Sequence, residues 1–454
     1  MGDVLGIVEQ LNSWLWDLLL IVLLCGMGLF LSIRLRFIQF RKFGESFRKT
    51  FGSISLKGDK ASAEEGMTSF QSLATSISAQ IGTGNLAGVA TAMVSGGPGS
   101  VFWMWLSALL GMAIIYAEAT LAQKYRTTEN GEVVGGPVYY IQAAFKGKLG
   151  KVIAAIFSIL IIMALGFMGN MVQANSVGHA VKSAFGIEPW LTGTVMAVMA
   201  LVVFIGGVQR VAAVTEKIVP LMAVFFTIAC FIVIGINIKV VPASFQMIFV
   251  GAFKPEAVLG GVLGVSVKQA IRFGVSRGLF THEAGMGSTP HAHALARVNH
   301  PCEQGLVAMM GVFIDTIVLL PMTVLVILTT GSLDGATTGI ELTQVAFSKV
   351  FGDWGYSIVA ISVFFFAFAT IIGWYFFGEA NVKYLFGRKA IPLYSLLVAA
   401  FIAVGSGLKV DLVWALADLF NGLMVLPNLL AIFVLTKLVV ELTADYESGQ
   451  LDND

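Results

Sequence analysis

Apolar runs of about 20 residues recur along nearly the whole chain and constrain its fold more than any other feature. A helix of about 20 apolar residues crosses the hydrocarbon core of a bilayer. Hydrophobic residues make up 57% of the 454 residues and charged residues only 12%, about half the charge of a soluble protein. The chain therefore must face lipid. Its formal net charge of +1 offers no basic surface for nucleic acid, which is excluded as a partner.

The apolar runs predict an all-α polytopic membrane protein with about 11 transmembrane helices. The predicted spans are approximately 14–33, 70–95, 101–123, 152–181, 190–207, 213–237, 257–295, 303–330, 355–382, 391–407 and 412–438. No basic residue precedes the first run, so we expect a retained span rather than a cleaved signal peptide.

The distribution of Lys and Arg predicts the orientation of these spans. The segment after the first span is rich in both residues, so we assign it to the cytoplasm. Alternating the spans from there places 20 Lys and Arg on the cytoplasmic side and 5 on the outer side. This predicts an outer N-terminus, a cytoplasmic C-terminus and location in the cell membrane.

The ten spans that follow the first one divide evenly, which predicts a 5+5 inverted repeat. We expect four regions. They are an extra N-terminal helix with a basic amphipathic cytoplasmic linker (1–66), a first five-helix repeat (67–240), a second five-helix inverted repeat (241–440) and an acidic cytoplasmic tail (441–454). The stretch 34–56 within the linker is expected to lie on the inner membrane interface. Each repeat opens with a glycine-interrupted span.

The first interruption lies between Ser76 and Gly88, where Gly82 and Gly84 weaken the helix. In lipid, unpaired backbone is tolerated where it lines a cavity or finds a partner. Freed carbonyls can hold Na⁺ or an ammonium group, and the start of the next half-helix can hold a carboxylate. The uncharged polar side chains here are Ser78, Gln80, Thr83 and Asn85. The alternative is that small residues only permit tight packing.

The second interruption lies between Arg272 and His293 and combines glycines with Arg, His and Glu residues. Charges at this depth are costly and are normally paired or functional. We expect Phe273 and Gly274 to open this break and to line the substrate site. Arg277 is expected to pair with Glu283, although it has the alternative of reaching a substrate carboxylate.

Polar residues in other spans are further candidates. Asn170 and Gln173 are three residues apart, so they share a helix face that serves either substrate contact or helix packing. Asp315 is deep in its span and is expected to be a proton relay, an ion ligand or the partner of an Arg. Glu118 is nearer the basic end of its span, which favours snorkelling or pairing.

Bulky side chains near these groups are expected to form the wall of a small substrate pocket. Trp374 follows Thr370 by one helical turn, which suggests a pocket wall next to a Na⁺ ligand. The other candidate wall residues are Phe167, Met171 and Phe273. A bulky lining would exclude large amino acids by steric clash.

Other classes of function have weaker support in the sequence. Ser276 lies between glycines, so an intramembrane serine protease using His282 or His291 is the rival class. No strand precedes this serine, and that context is needed for a nucleophile elbow. His291 and His293 lack a third ligand at a convincing spacing, so we expect no structural metal. A passive channel is a third possibility.

Three long blocks resemble the signature of the alanine or glycine:cation symporter family, and the resemblance extends over the whole chain. The blocks are residues 82–89 (Gly-x-Gly-Asn-x-x-Gly-Val), 96–106 (Gly-Gly-Pro-Gly-Ser-Val-Phe-Trp-Met-Trp-Leu) and 278–294, which contains Glu-Ala-Gly-x-Gly-Ser-x-Pro.

This resemblance implies a leucine-transporter-type fold and Na⁺-coupled uptake of alanine or glycine by a transporter rather than an enzyme. It implies that the carbonyls of Ser78 and Ile81 bind Na⁺ together with Ala367 and Thr370. It also implies that the N–H groups of residues 82–84 (Gly82, Thr83 and Gly84) hold the substrate carboxylate. The expected partners are the amino acid, Na⁺ as coupling ion and the lipid bilayer, with no other cofactor and a functional monomer. H⁺ coupling through Asp315 is the alternative.

Overall fold

The computed structural model describes residues 2–52, 67–129, 131–258 and 265–449. The sequence predictions for 53–66, for the beginning of the seventh span and for the end of the tail lie outside these residues. The helices are α1 (Val4–Arg34), α2 (Ile38–Arg41), α3 (Phe43–Gly52), α4 (Ser69–Gln80), α5 (Ala87–Gly96), α6 (Ser100–Lys124), α7 (Pro137–Ala144), α8 (Lys148–Phe185), α9 (Pro189–Phe204), α10 (Gly207–Ile236), α11 (Val241–Gly251), α12 (Val267–His282), α13 (Pro290–His293), α14 (Pro301–Thr329), α15 (Gly339–Phe351), α16 (Asp353–Phe386), α17 (Arg388–Gly405) and α18 (Val410–Ser448).

Strands are confined, among the described residues, to one short hairpin between α6 and α7. Its strands are β1 (Thr127–Glu129) and β2 (Glu132–Val134), which are antiparallel with Thr128 opposite Val133. Short 3₁₀ turns are Thr83–Asn85, Ile238–Val240 and Pro255–Ala257. The fold is therefore helical apart from this connection.

Eight described helices are long and apolar enough to cross a membrane, namely α1, α6, α8, α10, α14, α16, α17 and α18. The shorter apolar helices α5 and α9 also coincide with predicted spans. The total of eleven, the inverted repeat and the orientation of the termini stay predictions. Large apolar side chains on the outer face of α10, such as Leu221, Val224 and Ile228, are more than half exposed, as expected of a surface that contacts lipid.

The first break is a short non-helical segment between α4 and α5. A capping box at Thr68 and Gln71 begins α4, and Ile81 leaves the helical conformation after Gln80. Here the glycines are required by close packing. A Cβ on Gly82 would lie 2.5 Å from Thr370 Oγ1, and a Cβ on Gly84 would lie 2.9 Å from Thr281 Cβ.

The second break begins later than the sequence predicts. Helix α12 runs without interruption to His282 and ends where Glu283 adopts a left-handed conformation, with φ of 56°. The prediction that Phe273 and Gly274 open the break is therefore wrong. Gly274 is instead a packing residue, because a Cβ there would lie 2.5 Å from Ser100 O and 2.6 Å from Trp103 Cβ on α6.

Helix α16 lies at the centre of the bundle, where it packs against α4, α8, α10 and α15. It supplies many of the largest buried side chains, including Trp374, Tyr375 and Phe377. Helices α12 and α14 pack against α6. The break between α4 and α5 therefore lies between α16 on one side and α12 with α14 on the other.

Candidate functional site

The hydroxyl of Thr370 on α16 lies at the end of α4. Its Oγ1 is 2.8 Å from Ser78 O, 3.5 Å from Ile81 O and 3.0 Å from Phe366 O. Phe366 O is one turn earlier in α16 and already accepts a backbone hydrogen bond within the helix. The hydroxyl has one proton to donate, so it cannot satisfy both Ser78 O and Ile81 O. We call this group of oxygens the Thr370 cluster. It is rich in acceptors and poor in donors.

The break itself frees two of these carbonyls. In a regular helix, Ser78 O and Ile81 O would accept from the N–H groups of Gly82 and Asn85. Here Gly82 N bonds to Gln80 O at 3.0 Å and Asn85 N bonds to Gly82 O at 3.3 Å. Ala367, the fourth predicted Na⁺ ligand, lies one turn before Thr370 and is fully buried. The structure thus brings Ser78, Ile81 and Thr370 to one contact between the end of α4 and α16, while the role of Ala367 stays a prediction.

Gln173 on α8 contacts the non-helical segment directly. Its Oε1 accepts a hydrogen bond from Thr83 N at 3.1 Å. Within the described part of the chain, Gln173 Nε2 and Thr83 Oγ1 are buried without a hydrogen-bond partner. Asn170, one turn earlier, donates to Gly166 O at 3.1 Å and leaves its Oδ1 unpartnered. Buried polar atoms without partners are uncommon in proteins, so these three make α8 and the non-helical segment candidates for ligand contact.

Trp374 on α16 contacts α8, α12 and the second break, and its N–H group is already used. A Cβ on Gly169 would lie 2.5 Å from the indole ring, so α8 and α16 touch there. Phe280 contacts the ring edge-on at 5.5 Å. Trp374 Nε1 donates to Glu283 Oε1 at 2.5 Å, which joins α16 to the second break.

Four predicted pocket residues are not brought to this segment. Phe167 stacks on Phe401 of α17 at 4.6 Å, and Met171 packs so closely on α17 that a Cβ on Gly405 would lie 2.6 Å from its Cβ. Phe273 and Gly274 pack against the end of α5 and the beginning of α6. A role for these four in substrate contact stays a prediction.

A second group of polar atoms lies on the opposite side of the first break, and we call it the Asp315 cluster. Asn85 Nδ2 donates to Asp315 Oδ1 at 2.7 Å. Thr281 Oγ1 is 2.6 Å from Asn85 Oδ1, 3.2 Å from Asp315 Oδ1 and 3.5 Å from Gln80 O. Thr316 Oγ1 donates to Asp315 Oδ2 at 2.7 Å. All of these residues are buried.

The second break is held by carboxylates that have several donors. Glu118 accepts from Gly285 N at 3.1 Å, Gly287 N at 3.0 Å and Asn428 Nδ2 at 2.5 Å. The expectation that Glu118 snorkels or forms an ion pair is therefore wrong, because it is completely buried and satisfied by backbone and amide donors. Glu283 accepts from Ser288 as well as from Trp374.

Arg277 pairs with Asp418 of α18 and not with Glu283, which corrects the sequence prediction. Its guanidinium also lies over the ring of Trp414, 4.4 Å from the centroid. Because α12 ends before Glu283, that carboxylate points toward α16 instead. Lys268 and Arg272 both pair with Asp17 of α1.

The histidines do not form the arrangement of a serine protease. His282 Nε2 lies 3.3 Å from Ser107 Oγ. His291 lies between Ser288 O at 2.7 Å and Asn381 Nδ2 at 2.9 Å. No described histidine lies within hydrogen-bonding distance of Ser276. In the described ranges, no group of three or more His, Cys, Asp or Glu side chains could hold a metal ion.

A cavity of about 570 Å³ lies at the end of α16 that includes Glu379, Asn381 and Lys383. Residues of the β1–β2 hairpin, α10, α13 and α17 complete its wall. His291, from the second break, is part of the lining. The cavity therefore extends from the surface near the hairpin toward the second break.

Comparison with known proteins identifies the family. The model of the sodium:alanine symporter family matches residues 1–453. The chain belongs to the sodium:alanine symporter family. It is therefore a multi-pass membrane protein and a secondary transporter, not an enzyme, and the resemblance drawn from its three sequence blocks is confirmed.

Several relatives of this family align over nearly the whole chain. The sodium/alanine symporter AgcS of Methanococcus maripaludis is 41% identical, with 97% of each protein covered. The amino-acid carrier protein AlsT of Bacillus subtilis is 39% identical over 96% of this chain and 90% of AlsT. The probable sodium/glutamine symporter GlnT of Bacillus subtilis is 39% identical over 97% of this chain and 90% of GlnT.

Solved structures share the fold at low sequence identity. A Na⁺-coupled sialic acid symporter in a substrate-bound outward-open state has a TM-score of 0.53 at 12% identity, covering 87% of this chain and 80% of that protein. The Eremococcus coleocola manganese transporter has a TM-score of 0.52 at 13% identity, with 82% and 79% covered. The chain thus shares the helical architecture of these two transporters.

Proposed function

We propose that this chain is a Na⁺-coupled symporter that carries small neutral amino acids, alanine and glycine, into the cell by alternating access. The observation that carries the proposal is the Thr370 cluster, in which one hydroxyl faces three carbonyl oxygens. The names of AgcS and AlsT support the same function.

The proposed Na⁺ ligands are the carbonyl oxygens of Ser78, Ile81 and Ala367 and the hydroxyl of Thr370. Oxygen atoms are the ligands that hard cations prefer. A cation among these oxygens removes the deficit of donors that the single hydroxyl leaves. Because the ligands come from α4 and α16, binding of Na⁺ holds these helices together and stabilises the conformation that binds the amino acid.

The proposed substrate site is the non-helical segment that follows α4. The Thr83 N–H is bonded to Gln173 Oε1 at 3.1 Å, and a substrate carboxylate would accept the same kind of hydrogen bond. Thr83 Oγ1 and Gln173 Nε2 are buried donors that have no partner among the described residues. Neutral groups and helix ends provide partial charges for a zwitterion without burying a full ion pair.

The proposed topology has eleven spans, with the repeats at 67–240 and 241–440, an outer N-terminus and a cytoplasmic C-terminus in the cell membrane. In this orientation, the cavity near Lys383 opens to the cytoplasm and is the proposed route for release of the substrate. We propose that a monomer performs the whole transport cycle.

The Na⁺ gradient is sufficient to drive such transport. One Na⁺ that crosses about 100 mV gains about 2.3 kcal/mol, and a tenfold concentration gradient adds about 1.4 kcal/mol. The sum of roughly 3.7 kcal/mol supports accumulation of a neutral substrate by several hundred-fold.

The test is uptake of radioactive alanine into liposomes that contain the purified protein. An inward Na⁺ gradient is compared with an equal K⁺ gradient and with an inward H⁺ gradient, and unlabelled glycine and glutamine are added as competitors. We expect transient accumulation with Na⁺ alone and competition by glycine but not by glutamine. Accumulation of alanine with the H⁺ gradient but not with the Na⁺ gradient would show that protons drive transport. Equilibration of alanine without accumulation would indicate a channel.

A further inference from the structure

The segment that follows α1 has an exposed face that is both basic and aromatic. This segment, residues 34–52, contains the end of α1, a turn, and the short helices α2 and α3. Several of its arginine and phenylalanine side chains are exposed to the surroundings of the protein. They are Arg34, Arg36, Phe37, Phe40, Phe47, Arg48 and Phe51. We call these residues the basic aromatic face.

The arginines of this face have no counter-ion in the part of the chain that the structure describes. Other basic residues of the segment are paired, namely Arg41 with Glu447, Lys42 with Glu45 and Lys49 with Glu303. Arg34, Arg36 and Arg48 form no ion pair with any described residue. A guanidinium group is always charged, and its planar set of donors matches the oxygens of a phosphate. The face therefore has the charge and the donors to bind a phosphate anion.

The turn between α1 and α2 places two of these side chains on the surface. Arg36 and Phe37 have φ of 53° and 54°, a left-handed conformation that is uncommon and costly for residues other than glycine. The flanking side chains of Leu35 and Ile38 are buried, whereas Phe37 is 47% exposed. The fold thus keeps a strained turn that leaves an aromatic ring outside the core and next to an arginine.

The opposite side of the segment is fixed to α14. Ser46 Oγ donates to Leu306 O at 2.6 Å, and the ring of Phe43 contacts that of Phe313 edge-on, with 4.8 Å between the centroids. These contacts determine which side of α3 packs on the protein. The basic aromatic face is therefore held outward, where it is available to a partner.

The composition of this face fits the boundary between lipid headgroups and acyl chains. Phe47 and Phe51 contact each other, with 4.6 Å between their centroids, and form an apolar patch next to Arg48. Amphipathic segments with such a composition insert their apolar side chains below the headgroups, while their basic side chains bind anionic lipids. In the proposed topology the segment comes directly after a span on the cytoplasmic side, where basic clusters recognise anionic headgroups.

We propose that the basic aromatic face is a binding site for anionic phospholipids. Arg34, Arg36 and Arg48 bind the phosphates of the headgroups, and the phenylalanine rings lie among the upper parts of the acyl chains. A zwitterionic lipid carries its own ammonium group beside the phosphate, so the unpaired arginines select lipids with a net negative charge. The inference goes beyond the proposed function, because it does not depend on which substrate is carried.

The experiment measures lipid binding by native mass spectrometry of the purified, delipidated protein in detergent. Phosphatidylglycerol and phosphatidylcholine with the same acyl chains are titrated separately, and the affinity for the first bound lipid is determined. For the wild type we expect phosphatidylglycerol to bind about tenfold more tightly than phosphatidylcholine. Arg34→Gln, Arg36→Gln and Arg48→Gln, combined in one protein, should remove this preference and leave the affinity for phosphatidylcholine unchanged.

The matched control combines Lys146→Gln, Lys148→Gln and Lys151→Gln. These lysines are also exposed and lie on the cytoplasmic side in the proposed topology, so the control loses the same charge outside the basic aromatic face. We expect it to bind phosphatidylglycerol as the wild type does. An equal loss in the control would overturn the proposal, because net charge alone would then explain binding.

Two further results would also overturn the proposal. Equal affinity of the wild type for the two lipids would mean that the arginines select no anionic headgroup. Displacement of phosphatidylglycerol by an equal concentration of glycerol phosphate would mean that the face binds a soluble anion and not a lipid. Because binding is measured without transport, neither result bears on Na⁺ symport.

Discussion

The Thr370 cluster and the Asp315 cluster lie on opposite sides of the same break and differ in charge. Each has one threonine hydroxyl within 3.5 Å of three acceptor oxygens. Around Thr370 all three acceptors are backbone carbonyls. Around Thr281 they are a carbonyl, an amide oxygen and the Asp315 carboxylate. The first cluster is therefore built from neutral atoms, and the second contains a buried carboxylate that accepts hydrogen bonds from Asn85 and Thr316.

Because of this difference, the electrostatic environment at the Thr370 cluster differs from that at the Asp315 cluster. A cation in the neutral cluster brings a net positive charge into the protein, balanced only by the partial negative charge at the end of α4. The Asp315 cluster already contains a negative charge of its own, held by the donors of Asn85 and Thr316. We therefore expect Na⁺ binding at the Thr370 cluster to be sensitive to membrane potential.

The largest effect is expected from Thr370→Val, which removes the hydroxyl of the neutral cluster. We expect Na⁺-driven accumulation of alanine to fall by about 100-fold, equivalent to about 2.7 kcal/mol. Thr370→Ser keeps the oxygen and should retain most of the activity. Ser362→Ala is a control on the same helix, since the Ser362 hydroxyl donates to Ile358 O of its own helix at 2.8 Å. Normal uptake in Thr370→Val at low Na⁺ concentration would refute a cation site at this cluster.

A smaller effect is expected from Gln173→Leu, which changes the group between the two clusters. The substitution removes the acceptor for the Thr83 N–H and a buried free donor. We expect the KM for alanine to rise by about tenfold, typical of losing about 1.4 kcal/mol of hydrogen bonding, while the KM for Na⁺ changes little. If instead the KM for Na⁺ rises and that for alanine does not, Gln173 supports the cation site.

Glu118→Gln tests a carboxylate at the second break, for comparison with the two clusters at the first break. Glu118 already accepts hydrogen bonds from three donors. Replacing a charged acceptor lowers stability by about 1.5–3 kcal/mol, so we expect a lower Tm in detergent. The ratio of sodium to alanine should stay at its wild-type value. A change in that ratio would show that Glu118 is itself a part of the cation machinery.

The smallest effect is expected at Glu132, a partly exposed carboxylate on the β1–β2 hairpin. A hydrogen bond from Lys383 at 2.5 Å, followed by the charge of Arg388, lowers the pKa of Glu132. The contact therefore stabilises the hairpin above the ordinary pKa of a glutamate and is lost as pH falls through the lowered value. Exposed ion pairs contribute little. We expect Glu132→Gln to change alanine uptake at neutral pH by less than about twofold. In the wild type the hairpin should become more sensitive to proteolysis as pH falls, and the variant should lack this dependence on pH.

The position of the first break can be predicted from the sequence because it depends on the helix propensities of neighbouring residues. Two glycines within three residues cannot continue a helix well, and the resemblance to the family adds Ser78, Ile81, Ala367 and Thr370 as one group. The structure brings three of them, Ser78, Ile81 and Thr370, to one contact. Their role as Na⁺ ligands stays a prediction.

Features that depend on distant partners could not be predicted in the same way. Asp418 lies 141 residues from Arg277, so no local pattern indicates the ion pair that they form. Gly274 has the composition of a helix breaker but is needed for contact with α6. Thr281 stands in a sequence block already noted, yet its importance depends on Asp315, which only the folding of α14 against α12 brings near.

The two glycines of the first break face different clusters, so each cluster can be disturbed by a separate substitution. Gly82 faces Thr370 and Gly84 faces Thr281, each at a distance that leaves no room for a methyl group. Alanine at position 82 would press on Thr370 and Gln173, whereas alanine at position 84 would press on Thr281. A single added methyl group would therefore disturb one cluster more than the other, although no polar atom of either cluster is removed.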